Sequence, residues 1–203
     1  MDLGTGDGRA VLARAAAEPR SLVIGVDAVA SAMAESSRRA DRRGPANALF
    51  LAAAVEALAD SPLAGTADLV TVAFPWGSLL RGVVGLDAAA LAGVAAPVRP
   101  GGGRLEVLAS VIPSDGVDGL ACLDVAAATR VGEAWACAGL ELVEMRPATT
   151  AELGAIRSSW ARRLGDRPVW RLEGRRDARP GRRLNSRFVF ADERARHAAQ
   201  DAV

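Results

Sequence analysis

The chain has no lysine, no tyrosine and a single histidine, His197, among its 203 residues. One histidine excludes a Ser-His-Asp triad and a histidine-based metal centre. The two cysteines, Cys122 and Cys137, show neither metal-ligand spacing nor a disulfide framework. No apolar run approaches the roughly 20 residues of a membrane span, and the N-terminus lacks the basic-then-apolar layout of a signal peptide. A soluble cytoplasmic monomer that makes no membrane contact is the expectation. Aromatics are scarce, with four Trp and four Phe. Each Trp therefore needs its own explanation.

What is abundant is aliphatic side chain and arginine. Every one of the 25 basic residues is Arg. A high-GC coding bias accounts for that choice, yet Arg still brings planar, bidentate contacts to phosphate. The net charge of +1 hides a split. Residues 1–145 carry a net −6, and residues 146–203 a net +7. The asymmetry suggests that the C-terminal part faces a polyanion; a solvated tail is the competing reading for the last thirty residues.

Short apolar runs alternate with Ala-rich helical stretches, the pattern of a mostly parallel α/β sheet. Helices are expected over 8–18, 29–42, 87–96 and 125–138, with a further one from the Thr149-Thr150 cap to about Leu164. Strands are expected at 22–26, 49–51, 68–73, 104–111, 140–143 and 169–172. Segment 112–124 is expected as a loop. Residues 1–174 form one catalytic domain in this reading, and 175–203 an Arg-rich C-terminal extension that includes Arg187-Phe188-Val189-Phe190.

The chemistry starts at the first residues, Asp2-Leu3-Gly4-Thr5-Gly6-Asp7-Gly8. Glycines at a strand exit let backbone approach a ligand and tolerate positive φ. Such a turn by itself also serves dinucleotides, or simply caps a helix. Asp27, closing the next strand about twenty residues on, is placed to accept hydrogen bonds from ribose hydroxyls. Asp7 can meet an amino-acid ammonium. A pyrophosphate would tolerate these acids poorly, whereas the sulfonium and ammonium of S-adenosylmethionine favour them. Val55-Glu56 follows the third strand, where such proteins hold adenine; Glu56 also suits an ordinary acid at a helix start.

Two further motifs stand out. Phe74-Pro75-Trp76-Gly77-Ser78-Leu79-Leu80 follows the fourth strand, where a doubly wound sheet presents reactive groups. A Trp between Pro and Gly is a poor core residue but offers an indole face. Arg157-Ser158-Ser159-Trp160-Ala161-Arg162-Arg163-Leu164 brackets a Trp with arginines, a combination suited to base stacking and phosphate contact. Ordinary packing of Trp160 with a solvated Arg face is the alternative.

Asp-Leu-Gly-Thr-Gly-Asp-Gly, Pro-Trp-Gly-Ser-Leu-Leu-Arg-Gly-Val and Ser-Ser-Trp-Ala-Arg-Arg-Leu, in this order, resemble the aminoglycoside-resistance 16S rRNA (adenine-1408-N1) methyltransferases, over roughly residues 2–174. The resemblance implies a class I, Rossmann-like S-adenosylmethionine-dependent methyltransferase fold with a seven-stranded, mostly parallel sheet. It implies cofactor contacts at Asp2, Gly4, Gly6, Asp27, Val55, Glu56, Ala73 and Ser78. It also implies a flipped adenine held between Trp76 and Trp160, with Ser158, Arg157, Arg162, Arg163 and Arg167 supporting contact with 16S rRNA in the 30S subunit. Family members carry an N-terminal hairpin and a complete strand before the glycine motif. Here the first strand is expected to be truncated. Two alternatives remain: a methyltransferase acting on a small molecule or protein, and a non-catalytic RNA-binding remnant.

Overall fold

The computed structural model describes residues 1–155 and 167–178. Seven strands among them form one sheet: β1 (Asp2–Leu3), β2 (Val23–Asp27), β3 (Ala48–Ala52), β4 (Leu69–Ala73), β5 (Arg104–Ala109), β6 (Leu140–Pro147) and β7 (Trp170–Arg176). Their spatial order is β3-β2-β1-β4-β5-β7-β6. The first five strands run parallel, and β7 is antiparallel to both its neighbours. This is the class I methyltransferase arrangement expected from the sequence. Parallel neighbours require crossovers, and these are the helices α1 (Arg9–Ala17), α2 (Ala30–Arg43), α3 (Gly77–Val83) and α4 (Ala88–Ala95), while α5 (Ala127–Cys137) leads from β5 to β6. A sixth, α6 (Thr150–Ala155), leaves β6.

The first strand is short, as expected. It pairs Asp2 and Leu3 with Gly25 and Val26 on one side and with Thr71 and Val72 on the other. Chain direction around the sheet reverses between β1 and β4, and the crevice beyond their carboxyl ends is the place such sheets bind ligands.

Alternation sets the core. Val70 and Val72 of β4, Leu105, Val107 and Ala109 of β5, and Leu172 of β7 all turn to one face, where α3, α4 and α5 bury them. Trp135 of α5 is fully buried there, and its indole N–H donates to the Val83 carbonyl at 2.8 Å. That satisfied donor makes it a core aromatic. A smaller cluster of Val11, Leu12, Ala15, Val23 and Ala48 lies beneath α1 and α2.

The expected helices and strands occur within a few residues of their predicted ends, with two differences. Helix α3 was not anticipated, because Gly77 and Gly82 lower helix propensity across only seven residues. Strand β6 runs to Pro147, past a bulge between Leu142 and Glu144 that interrupts the alternation. Segment 112–124 is irregular apart from one 3-10 turn, Pro113–Asp115. Thr149 caps α6 as expected. Its hydroxyl accepts from the Glu152 N–H at 3.3 Å while its own N–H donates to the Glu152 carboxylate at 2.7 Å, a reciprocal capping box. The continuation of that helix to Leu164, and the run Arg187–Phe190, lie outside the described residues. Strand β7 ends at Arg176, two residues beyond the domain boundary read from the sequence. No single described helix is long and apolar enough to cross a membrane.

Candidate functional site

The glycine turn forms because three of its residues adopt a conformation that side chains resist. Gly4, Gly6 and Gly8 have φ of 70°, 56° and 72°. The three differ in what surrounds them. A Cβ on Gly4 would lie 2.6 Å from Leu79, and one on Gly8 would lie 2.5 Å from the Phe50 ring. A Cβ on Gly6 would meet nothing within 4 Å. Gly6 thus faces open space, where a ligand can approach the backbone.

The turn is tied to β2. The N–H groups of Gly4 and Thr5 both donate to the Val26 carbonyl, at 2.8 and 3.1 Å. The Asp27 carboxylate accepts from Gly6 N–H at 2.8 Å through one oxygen and from Val29 N–H at 2.9 Å through the other. Each oxygen keeps a further lone pair for a hydroxyl donor. Asp7 accepts from Arg9 N–H at 3.1 Å, steering the start of α1.

Above the turn opens a cavity of about 610 Å³ at the ends of β1, β2 and β4. It brings together Gly4, Gly6, Asp7, Asp27, Val55, Glu56, Ala73, Trp76 and Ser78, nine of the residues singled out in the sequence. Three acids line it, and no arginine does among the described residues. Such a lining disfavours a pyrophosphate and suits a ligand carrying positive charge. Thr5, also in the lining, is buried beside Asp2. Three acids with an apolar wall of Val26, Ala54 and Leu58 match the mixed polar and apolar character of S-adenosylmethionine. The residues present fit that cofactor.

Asp2 sits apart from this lining. Its carboxylate lies beneath the sheet's central strands and accepts from the Thr71 hydroxyl at 2.8 Å. Burial raises its pKa above the usual carboxylate value, partly offset by hydrogen bonding. It lines a second cavity, with Glu106 and Arg171.

At the mouth, Trp76 is 50 % exposed and stands at the N-terminus of α3. What puts it there is Phe74, whose φ of 53° is the single positive value at a non-glycine residue in the described chain. Its side chain is buried and its N–H donates to the Leu108 carbonyl at 2.8 Å, so packing holds the strained turn. Neither Phe74, Thr5 nor Val29 was singled out in the sequence, although all three line the cavity. Thr5, flanked by two motif glycines, carried a signal; a Phe with positive φ carries none.

Arg157, Ser158, Trp160, Arg162 and Arg163 lie outside the described residues. Arg167 is described. It forms an ion pair with Asp115 in the loop after β5, and Asp115 also accepts from Ile112 N–H at 3.0 Å.

Residues 1–169 match the family model of the 16S rRNA (adenine(1408)-N(1))-methyltransferases. A protein of that name from Streptoalloteichus tenebrarius is 36 % identical over 173 residues, covering 81 % of this chain and 79 % of its own length. One from Escherichia coli is 35 % identical over 88 residues, covering 41 % of this chain and 40 % of its own. Among solved structures, a variant of the Catenulisporales acidiphilia enzyme of the same name, crystallised with cosubstrate SAM, superposes with a TM-score of 0.77 at 34 % identity, covering 89 % of this chain and 87 % of that one. The aminoglycoside resistance methyltransferase NpmB1 superposes with a TM-score of 0.67 at 38 % identity, covering 85 % and 84 %. The glycine turn, the acidic cavity at the switch point and the Trp at its rim thus belong to a member of the 16S rRNA (adenine(1408)-N(1))-methyltransferase family.

Proposed function

We propose that this chain uses S-adenosylmethionine to methylate N1 of adenine 1408 of 16S rRNA, on the 30S subunit and as a monomer, and thereby confers aminoglycoside resistance. The observation that carries the reading is the cavity at the β1–β4 switch, lined among the described residues by three acids and no base, with a half-exposed indole at its rim. Bound there, the cofactor would supply an electrophilic methyl group. Asp27 would hold the ribose, the Gly4–Gly6 backbone and Asp7 the amino-acid end, Val55 and Glu56 the adenine, and Ala73 and Ser78 the side nearest the substrate. Asp2 acts beneath the turn, fixing β1 to β4 through Thr71.

On the substrate side, Trp76 offers one face for a flipped adenine, and Trp160 is assigned the other. Ser158, Arg157, Arg162, Arg163 and Arg167 are assigned to the RNA around it. Flipping costs a few kcal/mol, and each base–aromatic stack returns roughly 1–3 kcal/mol, so two Trp offset it. Adenine N1 presents its own lone pair. The chain therefore has to position the base rather than deprotonate it, which fits a cavity with no His among the described lining residues and a sequence with no Lys. Residues 1–174 are assigned to the methyltransferase domain and 175–203 to an extension.

Primer extension on 30S subunits treated with the protein and S-adenosylmethionine tests this directly. A stop at the decoding-site adenine is expected. Methyl transfer to a different nucleotide, or none to 16S rRNA, would sink the assignment.

A further inference from the structure

The adenine-side wall of the cavity is the 3-10 turn Val55–Leu58. Its own hydrogen bonds are local and long: Ala57 N–H to the Ala54 carbonyl at 3.2 Å and Ala59 N–H to the Glu56 carbonyl at 3.4 Å. Among the described hydrogen bonds, residues 54–59 make none to another element. What fixes this wall is packing from behind. Helix α4 lies against it, and at Gly93 the two backbones nearly touch. A Cβ on Gly93 would stand 2.0 Å from the Val55 carbonyl oxygen, 2.6 Å from its carbon and 3.1 Å from the Glu56 Cα. All three are backbone atoms, so no side chain can swing away to make room. Gly93 is buried, and no residue of α4 lines the cavity.

We propose that Gly93 is a positioning residue for the cofactor's base: by its lack of a side chain it lets the Val55–Glu56 wall sit back against α4, and so sets how this wall meets adenine. The inference rests on the reading that this cavity holds S-adenosylmethionine with its base at Val55–Glu56. Its physical content is depth. Any side chain at 93 must push the wall into the cavity, because the buried residues Ala90, Leu91 and Val94 hold α4 in the core.

The test compares binding of S-adenosylhomocysteine and its 6-oxo counterpart, S-inosylhomocysteine, by calorimetry. Wild-type protein should prefer the 6-amino base. Gly93→Ala should weaken S-adenosylhomocysteine at least roughly tenfold, the scale on which overpacking a filled interior is felt. It should also shrink the preference between the two bases, which a general loss of stability would not do. Gly174→Ala is the control. Its Cβ would meet the buried Trp135 ring at 2.5 Å, between β7 and α5, and neither residue lines the cavity, so its Tm should fall with the base preference intact. An unchanged preference in Gly93→Ala overturns the proposal.

A second arm needs no variant. In wild-type protein, saturating S-adenosylhomocysteine should slow amide hydrogen exchange in Ala88–Ala95 as well as in the wall. Slowing confined to the wall overturns the proposal even where Gly93→Ala cannot be purified. Failure of wild-type protein to bind S-adenosylhomocysteine at all overturns instead the cofactor reading beneath it.

Discussion

At the level of single residues, the proposed substrate side rests on Trp76. Its position follows from three neighbours: Phe74 in a strained turn, Pro75 stiffening the approach, and Gly77 at φ 58° opening α3. Replacing it removes an exposed ring and leaves the turn that places Asp27 and Gly6 untouched. Trp76→Ala should therefore slow methylation of 30S subunits by about 10- to 100-fold, the worth of one base–aromatic stack. The Kd for S-adenosylmethionine should change by less than about threefold, since no polar cofactor contact is lost. Calorimetry and single-turnover methylation check the two halves; parallel losses in both would show that the ring holds the cofactor wall, not the base. This residue was legible in the sequence because a Trp between Pro and Gly has no helix or strand face to pack into. Asp27 was legible for its place at the end of β2, though its part in pinning Gly6 and Val29 was not. The strain at Phe74 was hidden, since any residue type but glycine reads as an ordinary strand end there.

Elements were most legible where an Ala-rich run lay between strands, as for α4, expected over 87–96 and found over Ala88–Ala95, where Asp87 accepts from Ala89 and Ala90 N–H at 3.0 Å each. They were least legible where partners are distant in sequence. The sheet face under α6 is such a case. Arg146 donates to both oxygens of Glu152, at 2.6 and 2.9 Å, and Arg171 reaches the same carboxylate at 3.3 Å. Arg171 also pairs with Glu144 and Glu173, both at 2.9 Å. The Arg146 fork holds the Glu152 carboxyl far below the usual carboxylate range. A carboxyl whose folded value is depressed stabilises the fold above its unfolded value, here near 4.5, and loses that contribution as pH falls. Glu152→Gln should then lower stability by about 1 kcal/mol near neutrality, allowing for solvent screening. For a chain of this size that is about 3 °C in Tm. The gap between wild type and variant should be constant above about pH 5 and narrow steadily below it. Thermal melts of both proteins across this range decide the matter; a gap that persists unchanged into strong acid would mean that packing, not charge, is what Glu152 supplies.

Across the whole molecule, charge is where the structure alters the sequence reading most. The C-terminal excess of arginine suggested one continuous polyanion-facing region. Several of those arginines are instead spent on the fold. Arg146 and Arg171 lie within the glutamate cluster, and Arg176 donates to the carbonyls of Ala95, Ala96 and Val98 at 2.9, 2.8 and 3.0 Å, closing the end of α4 against β7. Strand β7 alternates its arginines with buried Leu172 and Gly174, a pattern the net count could not separate from a nucleic-acid face. In the proposed reading the electrostatic contact with rRNA comes from a smaller set, to which Arg167 is assigned. Its pairing with Asp115 restrains the side chain near the loop after β5, with Nε buried and about a quarter of the side chain left exposed. If Arg167 neutralises one phosphate, Arg167→Ala should lower the slope of log affinity against log salt for 30S binding by about 0.7 to 0.9. The affinity loss should be largest at low salt and nearly vanish at high salt, while the Kd for S-adenosylmethionine stays fixed. Binding titrations over a range of potassium chloride concentrations measure that slope. An affinity loss of equal size at every salt concentration would place Arg167 among the arginines that hold the fold and leave rRNA contact to residues elsewhere in the chain.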